Sequence, residues 1–147
     1  MSDRLRAVWD TNIYVAATLS RNPTSPTREL VERLEQNQFI LLVCEAVADE
    51  VVEKLEDHAV AAEIIAQWVA RLEKFAEWIT VPIEAIEPLL QDPDDNVVVA
   101  CAVIGHAHYL VTYDPHFDGL GGEYQGIKIV KALPFLWAVR GDTPAEA

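Results

Sequence analysis

Apolar positions follow two rhythms that alternate along the chain. Short unbroken runs at 6–9, 39–43, 109–112 and 127–130 have the length and composition of strands covered on both faces. A briefer run at 79–81 stops at Pro82, which suits a short edge strand. Between these runs the apolar residues recur at helical spacing, and the pattern predicts helices over 13–20, 26–37, 45–55 and 59–78. Leu30, Val31 and Leu34 form the apolar stripe of the second; Val47, Val51 and Leu55 form that of the third. Ile64, Ile65, Trp68, Val69, Leu72 and Phe75 mark the buried side of the fourth, with Trp68, Leu72 and Phe75 read as core or dimer surface rather than a stacking platform for bases. A fifth, Ala- and Val-rich helix runs to about residue 106, and 115–126 reads as a loop with four glycines.

The punctuation agrees with these rhythms. Asn12 is placed to cap the first helix, and Ser25 followed by Pro26 reads as N-cap and first helical residue of the second. Residues 91–94 form a turn with Pro93 in a permitted position, after which Asp94 or Asp95 caps the fifth helix. Strands alternating with helices, with no internal repeat or linker, predict an α/β fold: a three-layer α/β/α sandwich around a central parallel sheet. One domain is expected over 1–147, with its core at about 6–131. Right-handed crossovers put the carboxyl ends of parallel strands on one edge, where such sheets bind ligands.

Composition narrows the function. An apolar content of 51% indicates a globular chain, and no apolar run approaches the ~20 residues of a membrane span. The N-terminus enters a strand almost at once, without the apolar region of a secretory signal, so a cytoplasmic protein is expected. Cys44 and Cys101 lie in apolar surroundings without C-x-x-C spacing and read as buried reduced thiols. The net charge of −13 argues against loose attraction to nucleic acid. It is unevenly spread. Residues 1–44 hold five acids and five bases, residues 45–95 hold 14 acids and three bases, and residues 96–147 hold five and three. A phosphate-bearing substrate is therefore expected to approach away from the middle helices.

Four acids stand where the fold would bring them together. Asp10 and Asp114 end apolar runs, Glu50 lies just after another, and Asp95 opens a helix. Crowded carboxylates repel one another, and a divalent cation relieves them. Their hard oxygens suit Mg²⁺ or Mn²⁺, ions that acidify bound water and offset charge on phosphoryl oxygens.

Four motifs in order resemble the PIN-domain nucleases, in particular the bacterial and archaeal PIN ribonucleases that serve as toxins of toxin–antitoxin pairs. They are Asp10-Thr11-Asn12, Glu50 with Leu55, the Asp-rich turn Asp92-Pro93-Asp94-Asp95-Asn96-Val97 before Ala100 and Ala102, and Thr112-Tyr113-Asp114. One departure is Cys44, where the family usually carries Ser or Thr six residues before the Glu. The resemblance spans about residues 6–131. It implies Mg²⁺- or Mn²⁺-dependent hydrolysis of an RNA phosphodiester leaving a 5′-phosphate, a cognate antitoxin that blocks the site, and a homodimer. On that reading Asp10, Glu50, Asp95 and Asp114 are the catalytic metal ligands, directly or through water. Asn12 and Thr112 orient carboxylates or substrate, and Arg21 and Arg28 meet the RNA backbone.

Blander readings compete. Asp94 and Asp95 could be simple helix caps, and Asp114 a turn acid. His106 and His108 suit a helix C-terminus better than a metal, and His116 is a candidate for substrate contact. A haloacid-dehalogenase-type phosphatase also starts with an Asp ending its first strand. It needs a second Asp where Asn12 stands, and no Lys lies between Lys74 and Lys128 to support a late acidic motif. A PIN-like module that binds RNA or protein without cleaving is the alternative; the strong acidity and Cys44 favour it, and the four acids argue against it.

Overall fold

The computed structural model describes residues 4–142; the outer ends of the expected 1–147 domain lie outside the described residues. At its centre is β1 (Arg6–Trp9), whose Ala7, Val8 and Trp9 have no solvent exposure. It pairs in parallel with β2 (Ile40–Val43) on one side and β4 (Tyr109–Val111) on the other. Outside β2 lies β3 (Glu77–Trp78), and outside β4 lies β6 (Ile127–Val130), both parallel to their neighbours. The sheet order is thus β3-β2-β1-β4-β6-β5. The chain first builds outward from β1 to β3, then returns and builds outward from β4. Strand order reverses between β1 and β4, which opens a crevice at their carboxyl ends.

Helices pack on the sheet: α1 (Thr11–Leu19), α2 (Pro26–Glu35), α3 (Glu45–Asp57), α4 (Ala62–Phe75), α5 (Pro93–Ile104) and α6 (Ala132–Arg140). α5 lies on β1, β2 and β4, α4 on β2, and α6 on β4 and α2, which gives the layered α/β/α arrangement that the pattern predicts. Trp9, Tyr14 and Phe39 form a buried aromatic chain that continues to Trp68 on one side and Phe135 on the other.

Several elements differ from the expectation, each for a local reason. α1 begins at Thr11, and its N-cap is Asp10 rather than Asn12, because the Asp10 carboxylate accepts from the Thr11 N–H. α5 is capped by Asp92 rather than Asp94 or Asp95. Pro93 at the first helical position leaves Asp92 extended, and its carboxylate accepts from the Asp94 N–H. α4 stops at Phe75 because Ala76 turns extended; Trp78 belongs to β3, and the edge strand is 77–78 rather than 79–81. The 115–126 segment is not all loop. It forms a 3₁₀ turn (Pro115–Leu120) and then β5 (Glu123–Tyr124), antiparallel to β6, so the sheet is mixed at this edge. Gln125 and Gly126 both have positive φ, as a two-residue hairpin turn of the primed type requires. α6 was not anticipated by the pattern; it buries Ala132, Phe135 and Leu136.

Candidate metal centre

The switch between β1 and β4 fixes the first acid. Pairing sets Trp9 opposite Val111, and the next N–H, that of Asp10, donates to the Val111 carbonyl at 2.9 Å. Asp10 is therefore rooted in the core at 4% exposure, and its carboxylate is held from three sides. Oδ1 accepts from the Thr11 N–H at 2.9 Å; Oδ2 accepts from Asn12 Nδ2 and from Thr112 Oγ1, each at 2.8 Å. Asn12 Oδ1 in turn accepts from the Tyr113 N–H, and Thr112 Oγ1 accepts from the Asp114 N–H. Asn12 and Thr112 thus staple the ends of β1 and β4 and aim two carboxylates, Asp10 and Asp114, into one cleft.

The other acids arrive on helices. Glu50 lies in the second turn of α3, where Thr11 Oγ1 donates to its Oε1 at 2.6 Å. Asp94 and Asp95 occupy the first turn of α5, whose macrodipole favours negative charge there. All four expected ligands, Asp10, Glu50, Asp95 and Asp114, line a single cleft of about 290 Å³ together with Asp92 and Asp94. The side chains of Lys54 and His58 line it as well.

The electrostatics are those of a crowded anionic pocket. Burial, then the charges of Asp10, Asp92 and Asp114, push the Asp95 carboxyl up to about 7. Burial also raises Asp10, against the hydrogen bond from Thr112. Glu50 is raised by burial and by the neighbouring Asp94 carboxyl, with the Thr11 hydroxyl opposing. Asp95 Oδ2 is buried without a hydrogen-bond partner. His116 Nδ1 stands 3.3 Å from Asp114 Oδ1 and 4.0 Å from Asp95 Oδ2, and one ligand atom from each of these three residues falls within 4.8 Å of the others.

These residues fit a hard divalent cation. An ionised carboxylate oxygen in a buried position is costly unless a cation or a proton meets it, and Asp95 Oδ2 has neither a protein donor nor bulk water. A donor set of carboxylates with a single imidazole suits Mg²⁺ or Mn²⁺ better than the N/S-rich spheres of zinc.

Arg21 and Arg28 do not line the cleft. α1 runs away from the strand ends, so both lie at its far end, about 14 Å along its axis. Arg28 lines a separate hollow with Trp68 and Arg71. His106 leaves α5 with positive φ, and His108 Nδ1 accepts from the Arg6 N–H, so neither joins the acids.

Four further residues of the site and its surroundings are not singled out by the sequence pattern. Thr11 was visible only as part of a motif, since its partner lies 39 positions away. Lys54 and His58 follow Glu50 at four- and eight-residue spacing, a helical signal that could have placed them on its face. Buried Asn96 bonds both the N–H and the carbonyl of Leu90, bracing the segment before α5.

Residues 6–116 match the sequence profile of the family described as PIN domain. No curated protein matches the chain significantly. Among solved structures, the chain is similar to one in the crystal structure of VapBC2 from Rickettsia felis bound to a DNA fragment from their promoter. That likeness has a TM-score of 0.56 at 16% identity and covers 85% of this chain and 97% of that one.

Proposed function

The chain belongs to the PIN domain family, and from that premise we propose that it is a Mg²⁺- or Mn²⁺-dependent endoribonuclease, the toxin of a toxin–antitoxin pair. The observation that carries the proposal is the convergence of Asp10, Glu50, Asp95 and Asp114, from four separate segments, on one cleft at the sheet's switch point. In this reading those four hold the metal, directly or through water, with His116 beside Asp95 and Asp114. When bound, the ion acidifies water and neutralises charge on the phosphoryl oxygens.

The chain's own residues supply the rest. Asn12 and Thr112 fix the Asp10 carboxylate, and Thr11 fixes Glu50, so these acids meet a cation without reorganising. Lys54 and His58 are placed to meet a phosphate across the cleft. Arg21 and Arg28 would contact RNA only where it extends beyond the cleft. With a net charge of −13, binding rests on local contacts rather than a diffuse positive field.

An antitoxin partner is proposed because the similar Rickettsia felis structure is of VapBC2. A homodimer and a cytoplasmic location belong to the same proposal; among the described residues no helix is long and apolar enough to cross a membrane.

The test is cleavage of a synthetic RNA with Mg²⁺ or Mn²⁺ by the protein and by Asp10→Asn. Cleavage by the former alone is expected. Equal cleavage by both would remove the proposed centre, and cleavage by neither would favour a binding module.

A further inference from the structure

The carboxyl edge of the sheet continues past the acids. The Thr112 N–H donates to the Val130 carbonyl at 3.0 Å, which sets the end of β6 beside the end of β4. Lys131 therefore leaves the sheet on the same edge as Asp10 and Asp114, two strands, or about 10 Å, from the end of β1. A second hollow, of about 380 Å³, opens at the ends of β4 and β6. It shares Asp114 with the acidic cleft, so the two are neighbours along one edge.

Tyr113 stands at the junction. Its backbone is anchored, because its N–H donates at 3.0 Å to Asn12 Oδ1, and the same Asn12 holds the Asp10 carboxylate. Its side chain is not used by the fold. The residue is 40% exposed, and it makes no side-chain hydrogen bond or ring contact among the described residues. A lone exposed aromatic is ordinary on a protein surface. This one lines a hollow next to the acids and is tied to them through Asn12.

The hollow holds a cation as well. Lys131, the N-cap residue of α6, lines it without a side-chain capping bond and without an ion-pair partner among the described residues. Half-buried Ile129 and Val130 add apolar surface. Asp114 and Asp118 also line it, so this is no diffuse basic patch. An aromatic face, apolar surface and one free cation are the parts with which proteins hold an unpaired nucleotide.

We propose that this hollow is a nucleotide subsite for single-stranded RNA, next to the metal centre, with Tyr113 stacking on the base and Lys131 meeting the phosphate. The choice of RNA rests on the nuclease reading. A single strand is required because only an unpaired base can be splayed out to offer its face. Stacking tolerates any base, so the subsite adds affinity and register rather than sequence choice. Lys54 and His58 line the cleft but not this hollow, which leaves them for a different phosphate of the same strand.

The experiment compares the full-length protein with Tyr113→Ala, Tyr113→Phe and Lys131→Gln, using a short fluorescein-labelled single-stranded RNA. Fluorescence anisotropy in EDTA gives Kd, and cleavage of the same RNA in Mg²⁺ gives KM and kcat. Tyr113→Ala is expected to raise Kd and KM about five- to a hundredfold with kcat little changed, and Tyr113→Phe to restore both. Lys131→Gln should make the dependence of log affinity on log salt shallower by about 0.7. Weaker binding by Tyr113→Ala without cleavage by any of the proteins would keep the subsite and sink the nuclease reading. Cleavage with unchanged Kd and KM in Tyr113→Ala would do the reverse. A wild-type protein that neither binds nor cleaves the RNA would overturn the subsite as well.

Discussion

Asp95 concentrates the chemistry of the cleft in one residue. Its folded pKa of about 7 lies above its ordinary value of 3.8, so it binds a proton more tightly in the native state than in the unfolded one. Stability from that proton is complete below the unfolded value and is lost as pH rises through about 7. Asp10 and Glu50 shift in the same direction and add to the effect. Glu29 and Glu77, lowered by their hydrogen bonds to Arg140 and Arg6, act only at more acidic pH and do not offset it. Urea melts in EDTA should therefore show the protein losing roughly 2–4 kcal/mol between about pH 5 and pH 8, since one pKa unit corresponds to about 1.4 kcal/mol. Asp95→Asn should flatten that slope; an unchanged slope would mean that Asp95 is not the strained group. Thr11→Val tests a subtler role. Losing the hydroxyl on Glu50 should weaken Mn²⁺ affinity about ten- to a hundredfold with the fold intact, as judged by circular dichroism. The four acids were legible from their positions relative to apolar runs. Thr11's contact with Glu50 was not, because only the packing of α1 beside α3 creates it.

At the scale of elements, the start of α5 sets cap strength against charge. Asp92 caps the helix through the Asp94 N–H and also raises the Asp95 carboxyl. Asn caps as well as Asp but carries no charge, and Ala does neither. In metal-free buffer near pH 8, Asp92→Asn should thus raise the melting temperature, and Asp92→Ala should be about 1 kcal/mol less stable than Asp92→Asn. Equal stability of the two variants would remove the cap from the explanation. α2 and α3 were readable because their burial follows helical spacing, and α5 because its Ala- and Val-rich stretch, buried nearly throughout, follows an Asp-rich turn. Their ends were not, because caps depend on backbone angles: Pro93 forces Asp92, not Asp94 or Asp95, into the capping conformation. α6 escaped because Pro134 in its first turn reads as a breaker while being tolerated there. Trp78 was drawn into α4 by its apolar spacing, although edge pairing with Val43 claims it for β3.

At the scale of the molecule, the sheet order does the positioning. Reversal between β1 and β4 brings Asp10 and Asp114 side by side, while α3 and α5 deliver Glu50 and Asp95 to the same edge. The alternation of strand and helix runs was enough to anticipate that convergence. The antiparallel β5 edge was not readable, since two-residue strands carry no periodicity. Four of the six acids lining the cleft, Glu50, Asp92, Asp94 and Asp95, come from the acidic segment 45–95; the other two are Asp10 at the end of β1 and Asp114 after β4. The cleft is thus where six acids surround a buried Asp95 oxygen that has no hydrogen-bond partner. Calorimetric titration of the metal-free protein with Mn²⁺ near pH 8 tests this most directly. Saturable binding is predicted, weakened at least about tenfold in Asp10→Asn and in Asp95→Asn. An absence of binding, or equal affinity in all three proteins, would contradict a metal centre built from these residues.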